Sequence, residues 1–400
     1  MKYCILIMDG AAGWPLTKYD NKTSLQLAHT PNLDTLAKQG VVGLAHTVPP
    51  GMEPSSACAC MAIMGYAPDV YYSGRGPIEA KSMGIQITPA DVVFRCNLVA
   101  LRHGKMWSYN CGSIGDDDAH PLIQALQDGI KDRSVHFYPG VGYRHICKIT
   151  GQPSTLKSIC TPPHDISGKL VRGFLPHGIG SVFLKNLMSS SEPILKNHPV
   201  NMARQSRGEI PATMIWPFWG GKQCQDLPPF YDLYGIHAAI TSGVDLLRGL
   251  AKLSSIEVLD IPGVTAGPDT NYVVQTDGAL QALDKYDLVI IHIESPDEAG
   301  HNGSVEEKVH AIQEIDREVV GRLLSTRKKG FRMLIMPDHP TPIDIKTHVS
   351  DPVPFILWGD GLKGNGAEAY SEIEASRTGF IIQQGHLIMD MLVNGVGVIK

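Results

Sequence analysis

Apolar residues fill positions 3–8 without interruption and stop at Asp9-Gly10, the pattern of a strand buried on both faces of a parallel sheet. Thr30 and Pro31 then supply an N-cap and a first helical residue, Leu33, Leu36 and Ala37 share one face, and Gly40 ends the helix. The second half of the chain repeats this alternation. Residues 287–293 make another apolar strand, Ser304 and Glu307 form a capping box, and Val305, Val309, Ile312, Val319 and Leu323 follow on the apolar side of a helix. Strands are also predicted at 333–336 and 355–358, with a closing helix over 378–392. Strands alternating with helices predict an α/β fold, a parallel sheet with helices on both faces.

From about residue 95 to residue 175 the pattern changes. Strand-like pieces at 92–100, 134–138 and 145–149 surround a helix near 121–126, which predicts a smaller inserted α+β domain over 95–175. The catalytic core would then consist of 1–94 and 176–400. The segment 211–222, with Trp216, Phe218 and Trp219 among Pro and Gly, is expected to cross back to the main sheet.

Composition removes several classes of function. A chain of 400 residues that is 43% hydrophobic and 19% charged has ample material for folded cores, which excludes disorder. No apolar stretch approaches the roughly 18 residues needed to span a bilayer, and the first residues lack the pattern of a cleaved signal. A cytoplasmic address with no membrane partner is expected. The net charge of −5 is spread without blocks of one sign, so nothing points to nucleic acid. Eight scattered cysteines lack zinc or redox spacing and are read as reduced thiols. The 16 histidines bear most on chemistry, because neutral imidazole is a metal ligand near neutral pH.

In open parallel sheets, ligands collect beyond the carboxyl ends of the strands. Asp9 follows the first strand, Asp297 and His301 follow the strand ending near Ile293, Asp338-His339 follow Met336, and His348 precedes the next strand. Any one of these alone is readily a cap, a turn residue or a surface group. Together, Asp and His at several strand ends suit two divalent ions of Mn²⁺ or Zn²⁺ type, with Mg²⁺ also compatible, better than Ca²⁺.

Ser56 stands where a loop enters the small-residue run Ala57-Cys58-Ala59-Cys60, which resembles the first turn of a helix. Free N–H groups there would bind an anion such as phosphate, and a metal on the serine oxygen would make it a nucleophile. The simpler reading of Ser56 is an N-cap. Arginine forks match phosphate oxygens, and the candidates are Arg75, Arg95, Arg144 beside His145, and Arg207. There is no P-loop motif.

These residues sit in ordered motifs: the opening strand with D-G, T-P-N-L-D-T-L-A, G-Y-A-P, Y-Y-S-G-R-G-P-I-E-A, F-R-C-N, P-G-V-G-Y-R-H, P-P-H-D-I-S-G-K, D-T-N-Y, S-P-D-E-A-G-H, P-D-H-P-T-P and H-V-S-D-P-V-P. The set resembles the archaeal-type 2,3-bisphosphoglycerate-independent phosphoglycerate mutases of the alkaline phosphatase superfamily, and runs through most of the chain. The resemblance implies an alkaline-phosphatase-like core and an isomerase that interconverts 3-phosphoglycerate and 2-phosphoglycerate through a phosphoserine. It implies that Asp9, Asp338 and His339 hold one metal with the nucleophile Ser56, that Asp297, His301 and His348 hold the other, and that no 2,3-bisphosphoglycerate is needed. The expected partner is a small phosphorylated substrate, and no sequence feature assigns an oligomeric state. The inserted domain is expected to act as a lid, since water reaching a phosphoserine would give phosphatase activity.

Two stretches depart from the family pattern. Where the family carries G-S-D-T-A-H or a version ending in Asn, this chain has Ser55-Ser56-Ala57-Cys58-Ala59-Cys60, and D-H-S-T-P has become Asp338-His339-Pro340-Thr341-Pro342. The segment I-W-P-F-W-G-G-K also resembles a bacterial branch proposed to act as a homoserine kinase. A related phosphotransferase, homoserine kinase-like or a phosphomonoesterase, and a non-catalytic binding protein are therefore the alternatives.

Overall fold

A computed structural model describes residues 1–223, 227–326 and 329–398. Its strands are β1 (Lys2–Met8), β2 (Val41–Ala45), β3 (Asp91–Arg102), β4 (Lys105–Ser108), β5 (Val135–Tyr138), β6 (Arg144–Thr150), β7 (Met214–Lys222), β8 (Ala238–Thr241), β9 (Glu257–Val258), β10 (Leu288–Ile293), β11 (Phe331–Met336), β12 (Val353–Gly359) and β13 (Ile381–Ile382). The chain divides into two compact units, one of Met1–Tyr72 with Asp226–Lys400 and one of Ser73–Gln225.

The first unit is built on an eight-stranded sheet in the order β13-β2-β12-β11-β1-β10-β8-β9. β1 lies between β10 and β11 and is parallel to both, as its continuous apolar run requires. Cys4, Leu6 and Met8 pack with Leu33 and Leu36 of helix Pro31–Gln39 and with Ile312, Ile315 and Val319. Ile5 and Ile7 point the other way and are equally buried. Helices Asp245–Leu253 and Ile388–Asn394 pack against β8 and β11 through residues outside that cluster. The α/β class expected from the sequence holds.

Two expectations for this unit need correction. The sheet is mixed, because β12 is antiparallel to both β11 and β2. A buried strand has the same apolar run in either direction, so the pattern alone carries no sign of the reversal. The helix expected over 378–392 is also broken. Gly379 takes φ +70°, β13 follows, and helix begins only at Ile388–Asn394.

The second unit is an antiparallel sheet in the order β7-β3-β6-β5, with β4 pairing the far end of β3. Phe94, Cys96 and Leu98 pack against Leu122, Ile123 and Leu126 of helix Asp116–Gly129 and against Leu184 and Leu187 of helix Ser181–Lys196. This unit extends beyond the 95–175 read from the sequence on both sides. Helix Arg75–Ser82 packs on β3 and β7, and β7 pairs β3 along its length. The segment 211–222 therefore does not cross back to the main sheet. Its Pro217 is tolerated because β7 is an edge strand.

Candidate active site

Asp9 stands just past β1 and Asp338-His339 just past β11, so adjacent parallel strands deliver them to one rim. Asp297 and His301 lie one turn apart on helix Ser295–Asn302, which follows β10, and His348 lies in the connection between β11 and β12. The six residues form two groups, Asp9 with Asp338 and His339, and Asp297 with His301 and His348. These are the two sets implied by the family resemblance.

In the first group all three side chains are fully buried. His339 Nε2 lies 3.2 Å from Asp338 Oδ2 and 3.7 Å from Asp9 Oδ1. Asp338 is held in place by the backbone N–H groups of Gly10, at 3.1 Å, and His339, at 2.8 Å. Thr47 donates to the Asp338 carbonyl at 2.6 Å. His339 Nδ1 lies 3.3 Å from Thr341 Oγ1, which leaves Nε2 as the ligating nitrogen. Burial, then Asp338, Glu294 and Asp297, push the Asp9 carboxyl well above its ordinary range. Burial likewise lowers His339 to about 4.

The second group is more open. His301 Nε2 is 3.1 Å from Asp297 Oδ2, His348 Nε2 is 3.5 Å from Asp297 Oδ1, and the two Nε2 atoms are 2.9 Å apart. The Lys346 carbonyl accepts from His301 Nδ1 at 2.9 Å, and Thr341 donates to Asp297 Oδ1 at 2.5 Å. Burial alone would depress His301, but Asp297 outweighs it and raises the imidazole to about 9. Burial would raise Asp297, but His301 and His348 hold it well below the usual carboxylate range.

Both groups fit divalent cations. Two imidazole nitrogens converging on one carboxylate, and an Asp9 Oδ1 that is buried without a hydrogen-bond partner, are arrangements a cation satisfies. The backbone is shaped around them. A Cβ on Gly10 would lie within 2.4 Å of Asp297 Oδ1, and Gly10 takes φ +60°.

Ser56 opens the buried helix Ser56–Ile63 and its Oγ lies 3.1 Å from His339 Nε2. The N-cap is Ser55, whose hydroxyl accepts from the Cys58 N–H at 3.4 Å. The capping role and the site-facing role thus fall to different serines. Of Ala57, Cys58 and Cys60, which replace polar residues of the family pattern, Cys60 reaches this centre, with its thiol donating to Asp338 Oδ2 at 3.6 Å. Burial and the neighbouring Asp338 raise that thiol far above its ordinary range, so it stays protonated. Cys58 packs instead with Val48, Ala59 and Met52.

In the second unit, Arg75 and Arg95 both hold Glu79 Oε1, at 2.6 Å and 2.9 Å. Arg75 stacks 4.3 Å above the Trp219 ring, and Arg95 lies beside Phe218 and Trp219. Burial would raise Glu79, but Arg95, Arg75 and Arg144 outweigh it and keep the carboxylate ionised. Three cations around one anion make a cluster suited to an anionic ligand. His145 does not join it. Successive strand residues face opposite ways, and His145, paired with Cys96, is buried with Nδ1 accepting from the Gly140 N–H at 3.1 Å. Arg207 also stays apart, exposed and tied to Asp118 and Glu209.

Sequence reasoning missed His292 and Glu294. His292 Nε2 lies 2.8 Å from Asp9 Oδ2 and 3.7 Å from Glu294 Oε2. The signal was present: a polar residue inside an apolar strand, and an acidic one just past its end.

A family model described as 2,3-bisphosphoglycerate-independent phosphoglycerate mutase matches residues 37–201. A protein of that name from Methanothrix thermoacetophila is 42% identical over 99% of this chain and 100% of its own length. One named 2,3-bisphosphoglycerate-independent phosphoglycerate mutase 2, from Methanothermobacter thermautotrophicus, is 43% identical over 98% of both chains. Among solved structures, the cofactor-independent phosphoglycerate mutase of Thermoplasma acidophilum matches with a TM-score of 0.62 and 25% identity, over 98% of this chain and 99% of that one. A Pyrococcus horikoshii protein shares the fold with a TM-score of 0.81 at 24% identity, over 99% of this chain and 98% of that one.

Proposed function

The chain belongs to the 2,3-bisphosphoglycerate-independent phosphoglycerate mutase family, and from that premise we infer that it is an isomerase interconverting 3-phosphoglycerate and 2-phosphoglycerate through a phosphoserine at Ser56. The observation that carries the assignment of Ser56 is its Oγ, 3.1 Å from His339 Nε2 at the start of a buried helix whose cap is a different serine.

Asp9, Asp338, His339 and Ser56 would hold one divalent ion of Mn²⁺ or Zn²⁺ type and Asp297, His301 and His348 the other, and these ions would supply charge neutralisation for the phosphoryl oxygens and a lowered pKa for the serine hydroxyl. Ser56 Oγ gives up its proton and forms a bond to phosphorus while the bond from phosphorus to the glycerate oxygen breaks, and the released glycerate oxygen takes up a proton to become a hydroxyl. The reverse step at the neighbouring hydroxyl returns the phosphoryl group and frees Ser56, so no 2,3-bisphosphoglycerate enters. The N-terminal end of helix Ser56–Ile63 favours the phosphoryl charge.

Arg75, Arg95 and Arg144 are assigned to the anionic groups of the substrate, and the inserted unit to excluding water while glycerate turns. The reaction is placed in the glycolytic interconversion of phosphoglycerates, in the cytoplasm. No helix among the described residues is long and apolar enough to cross a membrane.

The test is an enolase-coupled assay with 3-phosphoglycerate and Mn²⁺, without nucleotide, beside a parallel assay with ATP and homoserine. Isomerisation without nucleotide is expected. Homoserine phosphorylation with no isomerisation would replace this reading by a kinase.

A further inference from the structure

Trp219 takes φ +48° inside strand β7, a left-handed conformation that residues with a side chain seldom adopt. The pairing of β3 with β7 explains where it falls. Val93 is level with Gly221 and Arg95 with Phe218, so the single residue Phe94 faces both Trp219 and Gly220, which is a β-bulge. Gly220 is dictated by space, since a Cβ there would lie 2.4 Å from the Phe94 ring. At 219 glycine would hold the same backbone without strain, yet the chain carries a tryptophan. The strained position aims the ring: the Arg75 guanidinium lies 4.3 Å from its centroid, and the Phe218 and His164 ring centroids lie 4.6 Å and 5.5 Å away. We propose that Trp219 is a positioning residue that acts through Arg75, presenting the Nη1–Nη2 edge of that guanidinium to two oxygens of one carboxylate or phosphoryl group of the substrate.

Arg75 is prepared on two sides. Its Nε donates to Glu79 Oε1 at 2.6 Å, and its face lies against the indole. No hydrogen bond among the described residues engages its Nη1 or Nη2, and the side chain is only 14% exposed. Those two nitrogens form the edge of the fork that matches a pair of anionic oxygens. An arginine left to itself loses much rotamer freedom when it takes a ligand, and a side chain already stacked and tethered has lost that freedom beforehand. The ring also screens one guanidinium face from water, which strengthens its attraction for an anion. Bulges commonly re-aim a side chain beside a functional site, and backbone strain is retained where the aim matters. The proposal rests on the assignment of Arg75 to the anionic groups of the substrate.

The experiment is equilibrium dialysis of the full chain, with chelator present to keep phosphate from the metal centre, against labelled inorganic phosphate and, separately, labelled glycerate. The anion whose binding weakens in Arg75→Ala identifies the group that Arg75 holds. For that anion Trp219→Gly should weaken binding about 10-fold, and Trp219→Phe, which keeps an aromatic face, should stay within about threefold of the wild type. The double variant Trp219→Gly with Arg75→Ala should bind no more weakly than Arg75→Ala alone. Unchanged affinity in Trp219→Gly would overturn the proposal, as would an undiminished loss in the Arg75→Ala background or a wild type that binds neither anion. In the enolase-coupled assay Trp219→Gly should raise KM by the same factor with kcat within about twofold, and a loss confined to kcat would also overturn it. A wild type that fails to isomerise 3-phosphoglycerate would overturn the proposed function, whereas the dialysis still decides the role of Trp219.

Discussion

The two ligand groups are the same chemistry in two settings. Asp9, Asp338 and His339 are sealed, with no exposed side-chain surface, whereas His301 is 32% and His348 14% exposed. In the sealed group burial favours neutral forms: His339 is driven down to about 4, and the Asp9 carboxyl is driven up. In the open group the Asp297 carboxylate dominates and raises His301 to about 9. One half of the centre thus requires a cation to keep the Asp9 carboxylate charged, and the other must give up a proton to accept one. Ser56, the proposed nucleophile, is buried beside the sealed half, 3.1 Å from His339 Nε2, a setting that would limit the access of water to a phosphoserine.

The largest expected effect comes from removing the nucleophile. Ser56→Ala should lower kcat by about 10⁴-fold or more, the scale on which loss of a covalent nucleophile is felt, whereas Ser55→Ala should cost only a cap, about 1 kcal/mol of stability. Equal losses of activity in the two variants would break the distinction between capping serine and reacting serine. Next in size, Asp338→Asn and Asp297→Asn should each lower kcat/KM by roughly 10³-fold, several kcal/mol of lost charge stabilisation. Metal analysis should separate them, since each variant is expected to lose the ion of its own group and keep the other. Loss of both ions from both variants would mean that the groups do not act independently.

Proton competition should sharpen the contrast further. His301, with its pKa raised to about 9, is protonated below that pH in the metal-free protein and must release the proton to bind. Affinity at the open group should therefore rise about tenfold per pH unit up to about pH 9 and then level off. His339, lowered to about 4, releases no proton at neutral pH, so affinity at the sealed group should gain nothing from this residue over the same range. Calorimetric Mn²⁺ titration in buffers of different ionisation enthalpy checks both statements. The smallest effect is at Cys60: Cys60→Ala removes a thiol that donates to Asp338 and should weaken the sealed site by about 10-fold, while Cys60→Ser should change it less.

Much of this centre was legible in the chain because its ligands follow strand ends, and strand ends in a parallel sheet share a rim. Asp9, Asp297, His301, Asp338 and His339 announced themselves by residue type at such positions and His348 by its place before the next strand, and the structure gathers all six into two groups. His292 and Glu294 did not, because a histidine inside an apolar strand reads as core until the neighbouring strand sets Asp9 against it. Arg207 and His145 were misplaced for a related reason. Arginine type says nothing of partners, and Asp118 and Glu209 already hold Arg207, while strand alternation turns His145 away from Arg144. The antiparallel β12 and the broken helix near Gly379 were hidden because an apolar run has no direction and periodicity does not register a single positive φ.

The central claim is that Ser56 carries the phosphoryl group in the sealed half of the centre. Rapid quenching of the Mn²⁺-loaded enzyme during turnover of 3-phosphoglycerate, followed by phosphopeptide mapping, tests it most directly. Phosphate on Ser56, formed without nucleotide and absent from Ser56→Ala, is the expected result. Phosphate on Ser55, or isomerisation at the normal rate by Ser56→Ala, would contradict it.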